Sequence, residues 1–361
     1  MQYYKASYEK IAAFCKVVYK GYGFSETEAE RITDVLLAAD LSGIESHGIQ
    51  RMVRYHKEIT GNMVHPLEKP EILRETPISA LMDGHAGMGQ LIGIEAMNLA
   101  VKKAKNTGFG IVTVKNSNHY GIAGYYAKLA AEEDLIGLSM TNTEAIMVPT
   151  NGKVPKLGTN PIAFAMPASP NAFCFDAATT VVPRGKLEVY VKRGNGLPLG
   201  WALDETGHDS DDADRVLKNI IAKTGGGILP LGGSGELHSG YKGYGFALLV
   251  EIMTSILSGG TAAPDIYKTA GESGICHCFI ALDYGMFGDK AAIEQRFSAF
   301  LQEIRDSEKA EGEERIYVHG EKEWEARERI LKDGIPFNEK TYSEMKMIAE
   351  YTHTEALLPE I

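Results

Sequence analysis

Lys115-Asn116-Ser117-Asn118-His119-Tyr120-Gly121-Ile122-Ala123-Gly124-Tyr125-Tyr126 is the stretch on which the reading of this chain turns. The β-branched run at 110–114 leads into it and an alanine-rich run at 127–133 leaves it. A strand is therefore predicted to end in a polar turn, with a helix starting just beyond. His119 stands at that junction. In α/β proteins the loops outside strand ends are where ligands bind, and glycine lets a ligand approach the backbone closely. On these residues alone, the histidine could equally close a turn by a hydrogen bond.

Upstream, a second polar cluster runs Asp40-Leu41-Ser42-Gly43-Ile44-Glu45-Ser46-His47-Gly48-Ile49-Gln50-Arg51. A helix beginning near Ser46 would put His47 and Arg51 on one face. A guanidinium suits a two-pronged grip on a carboxylate, and an imidazole beside it can pass a proton at neutral pH. The alternative is an exposed helix start capped by serine. Before this cluster, helices are predicted over 4–20 and from Ser25, which forms a capping box with Glu28, to about Leu41. A strand at 78–82, a glycine turn at 83–90 and a helix at 91–105 invite a dinucleotide fingerprint. The pattern fails: Gly93 falls one residue too late after Gly87 and Gly89, and the next strand ends in Lys115-Asn116 with no acid for a ribose.

Downstream, strands are predicted at 135–140, 162–166, 173–175 and 276–282. The segments around them, Thr141-Asn142-Thr143, Gly158-Thr159-Asn160-Pro161 and Asp176-Ala177-Ala178-Thr179-Thr180, are small or hydroxylic. Such ends can line a cofactor channel or make ordinary turns. Lys242 and the backbone amides opening an apolar helix at 246–256 could hold phosphate, or belong to a plain loop. Charged helices follow from Lys290, after Gly320-Glu321 and over 341–351. The predicted fold is α/β: a mixed-sheet core at 76–285, with helical parts at 1–75 and 286–361 packing together.

Net charge is −11 over 361 residues, which disfavours a nucleic-acid partner. No apolar run approaches a membrane span, and the N-terminus shows no signal-peptide pattern. The scattered thiols Cys15, Cys174, Cys276 and Cys278 suit a reducing cytoplasm. No metal-ligand spacing is present.

Taken in order, Ser-His-Gly-Ile-Gln-Arg (46–51), the 116–126 motif, Leu-Gly-Thr-Asn-Pro (157–161), Asp-Ala-Ala-Thr-Thr (176–180), Arg-Gly-Lys (184–186) and Tyr-Lys-Gly-Tyr-Gly (241–245) resemble the malate/L-lactate dehydrogenase family that lacks a Rossmann fold. The resemblance spans about 5–350. It implies a non-Rossmann nicotinamide-binding domain, a homodimer with its site near the subunit interface, and reduction of a 2-oxo acid or imine with NAD or NADP. Malate/oxaloacetate is the first expectation. Lactate, ureidoglycolate, sulfolactate or a cyclic imine are the alternatives, as is a dinucleotide-binding protein without turnover. The resemblance gives His47 and His119 the acid/base role and Arg51 the substrate carboxylate. His47, Gly121, Thr143, Asp176, Ala177, Ala178, Thr179, Lys242, Gly320 and Glu321 fall to the cofactor. Thr143 stands where relatives often have serine, and 234–240 departs from the pattern. Between the histidines, His119 is preferred as proton carrier because its turn is the more constrained. Asn118, Asn142, Thr159 and Asn160 are expected near the substrate. Arg54, Lys115 and Arg184 are the candidates for a second carboxylate.

Overall fold

The computed structural model describes residues 2–359, apart from the side chain of Lys192. The chain opens with β1 (Tyr3–Ala6), α1 (Tyr8–Gly21) and α2 (Glu26–Leu41). The α2 capping box forms as its residue types dictate: Ser25 N–H donates to Glu28 Oε2 at 3.0 Å and Glu28 N–H to Ser25 Oγ at 3.3 Å. The continuous helix expected from Ser46 does not form. Two short 3₁₀ turns, Glu45–His47 and Ile49–Arg51, precede α3 (Met52–Thr60). The cause is Asp40, buried near the end of α2, whose Oδ2 accepts from Ile49 N–H at 2.7 Å. Gly48 lies so close to that carboxyl that a Cβ would come within 2.0 Å of Oδ1.

The middle of the chain builds β2 (Glu71–Glu75), β3 (Ser79–Asp83), α4 (Gly89–Thr107), β4 (Phe109–Ser117), α5 (Ala123–Ala131), β5 (Ile136–Thr141), β6 (Ile162–Met166) and β7 (Phe173–Ala177). A small lobe follows: α6 (Arg184–Arg193), β8 (Ala202–Leu203), α7 (Ala213–Ala222) and β9 (Gly227–Ile228). It packs around Leu187, Val216, Ile220 and Ile228. Within the expected acidic loop at 209–214, Asp212 caps α7 by accepting from Arg215 N–H at 3.0 Å. Then come α8 (Gly240–Glu251), continued by a π-helical turn (Ile252–Ile256), and β10 (Ile275–Leu282).

These strands form one seven-stranded sheet in the order β2-β3-β4-β10-β5-β6-β7. Only β3 and β4, joined through α4, run parallel; the other neighbours are antiparallel. The architecture is thus the expected mixed α/β sheet without a dinucleotide fingerprint. Strand alternation sends Phe279 of β10 into the core under α4 and α5, with Val112, Val114 and Tyr126, and sends Cys278 to the opposite face with Met140 and Val250. Both faces are therefore covered at the sheet centre.

The tail adds α9 (Lys290–Asp306), α10 (Glu321–Asp333), β11 (Ile335–Asn338) and α11 (Glu339–Thr352). β11 pairs antiparallel with β1, and Phe337 and Ile348 share a core with Ile11, Phe14, Val18 and Leu36. The last part of the chain therefore joins the first helices. In contrast, α9 lies at the β7 edge, with Phe297 against Phe173 at 5.8 Å and Ser298 Oγ accepting from Ser169 N–H at 2.9 Å. No helix of the described residues is long and apolar enough to cross a membrane.

The glycine turn before α4 has a packing role. A Cβ on Gly89 would come within 2.3 Å of the Asn118 carbonyl and 2.5 Å of the His119 carbonyl. Both contacts are backbone, so neither can rotate away. Gly89→Ala is expected to cost ~1–3 kcal/mol in urea unfolding and to lower activity by displacing the 118–119 turn. Wild-type stability in that variant would disprove the close approach.

Candidate active site

A cavity of about 600 Å³ opens where the 3₁₀ turns and α3, the loop after β4, the segment after β5, the segment before β6 and the start of α6 converge. His47, Arg51 and Arg54 line it from the first, His119 and Gly121 from the second, Thr143 from the third, Thr159 from the fourth and Arg184 from the last. The two polar clusters singled out in the sequence therefore share one wall. The turn carrying His119 is pinned from behind. Asn118, buried, donates through Nδ2 to the Ala86 and Gly87 carbonyls, each at 2.9 Å.

The two imidazoles lie stacked, ring centroids 5.6 Å apart and planes at 24°. His47 Nδ1 is 2.9 Å from Ser46 Oγ. His119 Nδ1 is 2.8 Å from the Tyr55 hydroxyl and accepts from Gly121 N–H at 3.4 Å. Burial, then the Arg51 and Arg54 charges, push His47 from 6.5 down to about 3. Burial, then Arg54, hold His119 well below the same value. Both rings are therefore neutral at pH 7. Burial also keeps the Tyr55 phenol protonated, its pKa raised. Arg51 Nε donates to the Ser46 carbonyl, which fixes the guanidinium beside His47. Arg54 donates to Glu58 Oε1 at 2.7 Å and to the Tyr267 hydroxyl.

The residues expected at the substrate make hydrogen bonds within the chain, and Asn142 and Thr159 also line the cavity. Asn118 is used as described above. Asn142 donates to Glu251 Oε1 at 3.1 Å and the Thr261 carbonyl at 3.0 Å, and accepts from Cys276 N–H at 2.8 Å. Asn160 donates to Glu251 Oε2 at 2.9 Å and accepts from Thr143 N–H at 3.2 Å. Each amide ties backbone segments together and is fully or almost fully buried. Both Asn142 and Asn160 hang on Glu251, a buried carboxylate on α8 that also accepts from Ser255 Oγ at 2.7 Å and Ala263 N–H at 2.9 Å. Thr159 N–H donates to Thr143 Oγ1 at 2.9 Å, so those two wall residues hold each other. Thr179 Oγ1 donates to the Thr159 carbonyl at 3.0 Å, behind the wall.

The other expected cofactor residues sit off this cavity. Asp176 accepts from Gly124 N–H at 2.6 Å at the start of α5, where the helix dipole favours an anion; Ala177 and Ala178 follow it at the end of β7 and beyond. Gly320 and Glu321 begin α10 near β7, next to Cys174. The Glu321 carboxylate is engaged by Arg305, Arg315 and Val318 N–H. Lys242 is exposed on α8, its Nζ 6.0 Å from the Tyr241 ring. Lys115 pairs with Asp83 at 3.7 Å and is not on the cavity wall.

Tyr55, Ser46, Asp40 and Glu251 were not read from the sequence as site residues. Tyr55 had a usable signal, four residues after Arg51 on the same helical face. Glu251 had none, because its partners lie 109 and 91 residues away. His277 belongs to the core: it bridges Thr141 Oγ1 at 2.8 Å and Ser117 Oγ at 2.9 Å, stacks on Tyr120, and is held near 3 by burial. No His, Cys, Asp or Glu cluster of the described residues could hold a metal.

Gly121, Thr143, Thr159 and Pro161 make a wall of small side chains beside the histidines. This leaves a flat, weakly polar surface facing the imidazoles, the shape that a planar cofactor ring would need. A family model described as malate/L-lactate dehydrogenase matches residues 6–346. Malate dehydrogenase of Pyrococcus horikoshii is 44% identical over 356 residues, covering 98% of this chain and 97% of that protein. L-sulfolactate dehydrogenase of Methanocaldococcus jannaschii is 38% identical, covering 92% of each. The crystal structure of malate dehydrogenase from Entamoeba histolytica superposes with a TM-score of 0.94 at 36% identity, covering 98% of this chain and 99% of that one. With matches this long in both sequence and fold, around a cavity of this chemistry, the chain belongs to the malate/L-lactate dehydrogenase family.

Proposed function

We propose that this chain is a nicotinamide-dependent oxidoreductase that interconverts a small 2-hydroxy acid and its 2-oxo acid, with malate and oxaloacetate the first pair and NAD the first cofactor. The observation that carries the reading is the stack of two neutral imidazoles beside Arg51 in one cavity. The nicotinamide supplies or takes the hydride; the chain places the acid and manages proton and charge. Arg51 grips the substrate carboxylate.

The hydrogen bonds support different roles for the two histidines. Ser46 Oγ can accept from His47 Nδ1–H, which leaves the Nε2 lone pair free to take the hydroxyl proton. His119 Nδ1 accepts from Gly121 N–H and Tyr55 O–H, so its proton sits on Nε2. A neutral Nε2–H steadies negative charge on the substrate oxygen without being given up. This reading favours His47 as proton carrier, reversing the preference drawn from loop position.

NADH consumption with oxaloacetate, followed near ~340 nm, tests the activity. Pyruvate, sulfopyruvate, ureidoglycolate, cyclic imines and NADPH are the comparison arms. His47→Gln is expected to lower kcat by about 10²–10⁴. His119→Gln, whose amide can replace the Nε2–H, should retain more activity than His119→Ala. The opposite ranking would return the proton to His119, and no turnover of any arm would leave only a binding protein.

Burial of neutral histidines also predicts the direction of acid sensitivity. His47 and His277 have folded pKa values near 3, below the ordinary 6.5, and His119 shifts the same way. Below about pH 6.5 the unfolded chain therefore binds more protons, and stability falls as pH drops toward 3. Urea midpoints should decrease from pH 7.5 to pH 5.5. An unchanged midpoint would mean these rings are not buried neutral.

A homodimer is part of the proposal. α8 and its continuation leave Phe246, Leu249, Ile252, Ile256 and Leu257 between 47% and 61% exposed. Contiguous apolar surface of this kind marks an association face, and a second copy of this chain is its expected occupant. Sedimentation should give a dimer at micromolar concentration, and Ile252→Glu should weaken it. A monomeric wild type would remove the dimer. The free thiols, with Cys15, Cys276 and Cys278 buried, fit a reducing cytoplasm.

A further inference from the structure

We infer that Arg184 selects substrates carrying a second anionic group, gripping the far carboxylate while Arg51 holds the one beside the reacting carbon. The inference rests on the function proposed above and names the residue that would make a dicarboxylate the preferred acid.

Besides Lys57, which lines the cavity but is exposed, three cations compete for the role. Lys115 is off the cavity wall and turned to Asp83. Arg54 is on the wall but already neutralised, with Nε on Glu58 and Nη2 on the Tyr267 hydroxyl. Glu58 Oε2 is itself buried without a hydrogen-bond partner. A second carboxylate brought there would meet an unsatisfied anion, which is repulsive in a desolvated site. Arg184 is held more loosely: its ion-pair partner Glu188, also on the wall, completes no hydrogen bond to it. It lines the cavity from the first turn of α6, and its Nε is buried with no hydrogen-bond acceptor among the described residues. Its nearest carboxylate, Glu188 one turn on, stands 3.3 Å away without completing a hydrogen bond to that nitrogen. The side chain is partly exposed, but its buried Nε gains an acceptor when an anion arrives, and a carboxylate meets the fork in two prongs.

The placement also separates the two grips. Arg51 stands at the head of α3, and Arg184 on the lobe beyond β7. They are close enough for the Arg184 charge to add to the burial and Arg54 effects that lower Arg51. A substrate with a carboxylate at each end satisfies both. One with a methyl at its far end leaves Arg184 as it is now.

The test measures kcat/KM with NADH for oxaloacetate and for 2-oxobutyrate, which has the same carbon count and no second carboxylate. Arg184→Gln is expected to lose at least about tenfold more on oxaloacetate than on 2-oxobutyrate, mainly through KM. Arg184→Lys should recover part of the difference, and it serves as the test variant if Arg184→Gln does not fold. Equal loss on both acids at an unchanged melting temperature overturns the Arg184 assignment and leaves the activity standing. So does a selective loss in Arg54→Gln with none in Arg184→Gln. A wild type that reduces 2-oxobutyrate as well as oxaloacetate overturns both the assignment and the malate reading.

Discussion

Two imidazoles lie stacked 5.6 Å apart beside two guanidinium groups, and burial with those charges keeps both rings uncharged until substrate brings a carboxylate and a proton to the pocket. Protonating either would set a third cation in a desolvated pocket. That constraint organises the site. Each ring needs a neutral partner to fix its tautomer, and the chain provides Ser46 for one, and Tyr55 with the Gly121 amide for the other. The charge that remains is carried by arginines, which do not titrate. One of them, Arg54, is neutralised in place by Glu58.

Holding those groups in register falls to buried polar side chains that bond to backbone and to one another. Asp40 takes the Ile49 amide and so divides the 45–51 segment into two tight turns. Asn118 ties the His119 turn to the carbonyls ahead of α4. Glu251 gathers Asn142, Asn160, Ser255 and the Ala263 amide behind the Thr143–Thr159 wall. Buried groups of this kind are costly unless every donor finds an acceptor. Each network therefore tolerates only one arrangement of its loop. The inner side of α8 supports the cavity through Glu251, while its outer side carries exposed apolar residues. Association of two copies through that face would stiffen the same support.

Local signals in the sequence translated well. The Ser25–Glu28 box, the β-branched run at 110–114, the apolar strand of β10 and the failure of the glycine fingerprint all depend on neighbours within a few residues. The pairing of His47 with His119 followed only from resemblance, since nothing local links positions 72 residues apart. The asparagines show the limit most clearly. Asn118, Asn142 and Asn160 sit in polar turns beside the reactive residues and look like substrate donors. Their amides bond to backbone groups and a carboxylate from up to 134 residues away, which no local pattern reveals.

The sequence by itself determined most helices and central strands, the mixed α/β class, the absence of a Rossmann phosphate turn and the kinds of side chain available for chemistry, but not β1 ahead of α1 or the broken turns at 45–51. It did so because hydrophobic period, capping and turn preferences act over short spans. Only the tertiary structure decided which of those side chains face the cavity, which partners each histidine meets and which arginine keeps an unsatisfied donor. Those outcomes depend on desolvation and on hydrogen-bond partners delivered when β10 inserts between β4 and β5.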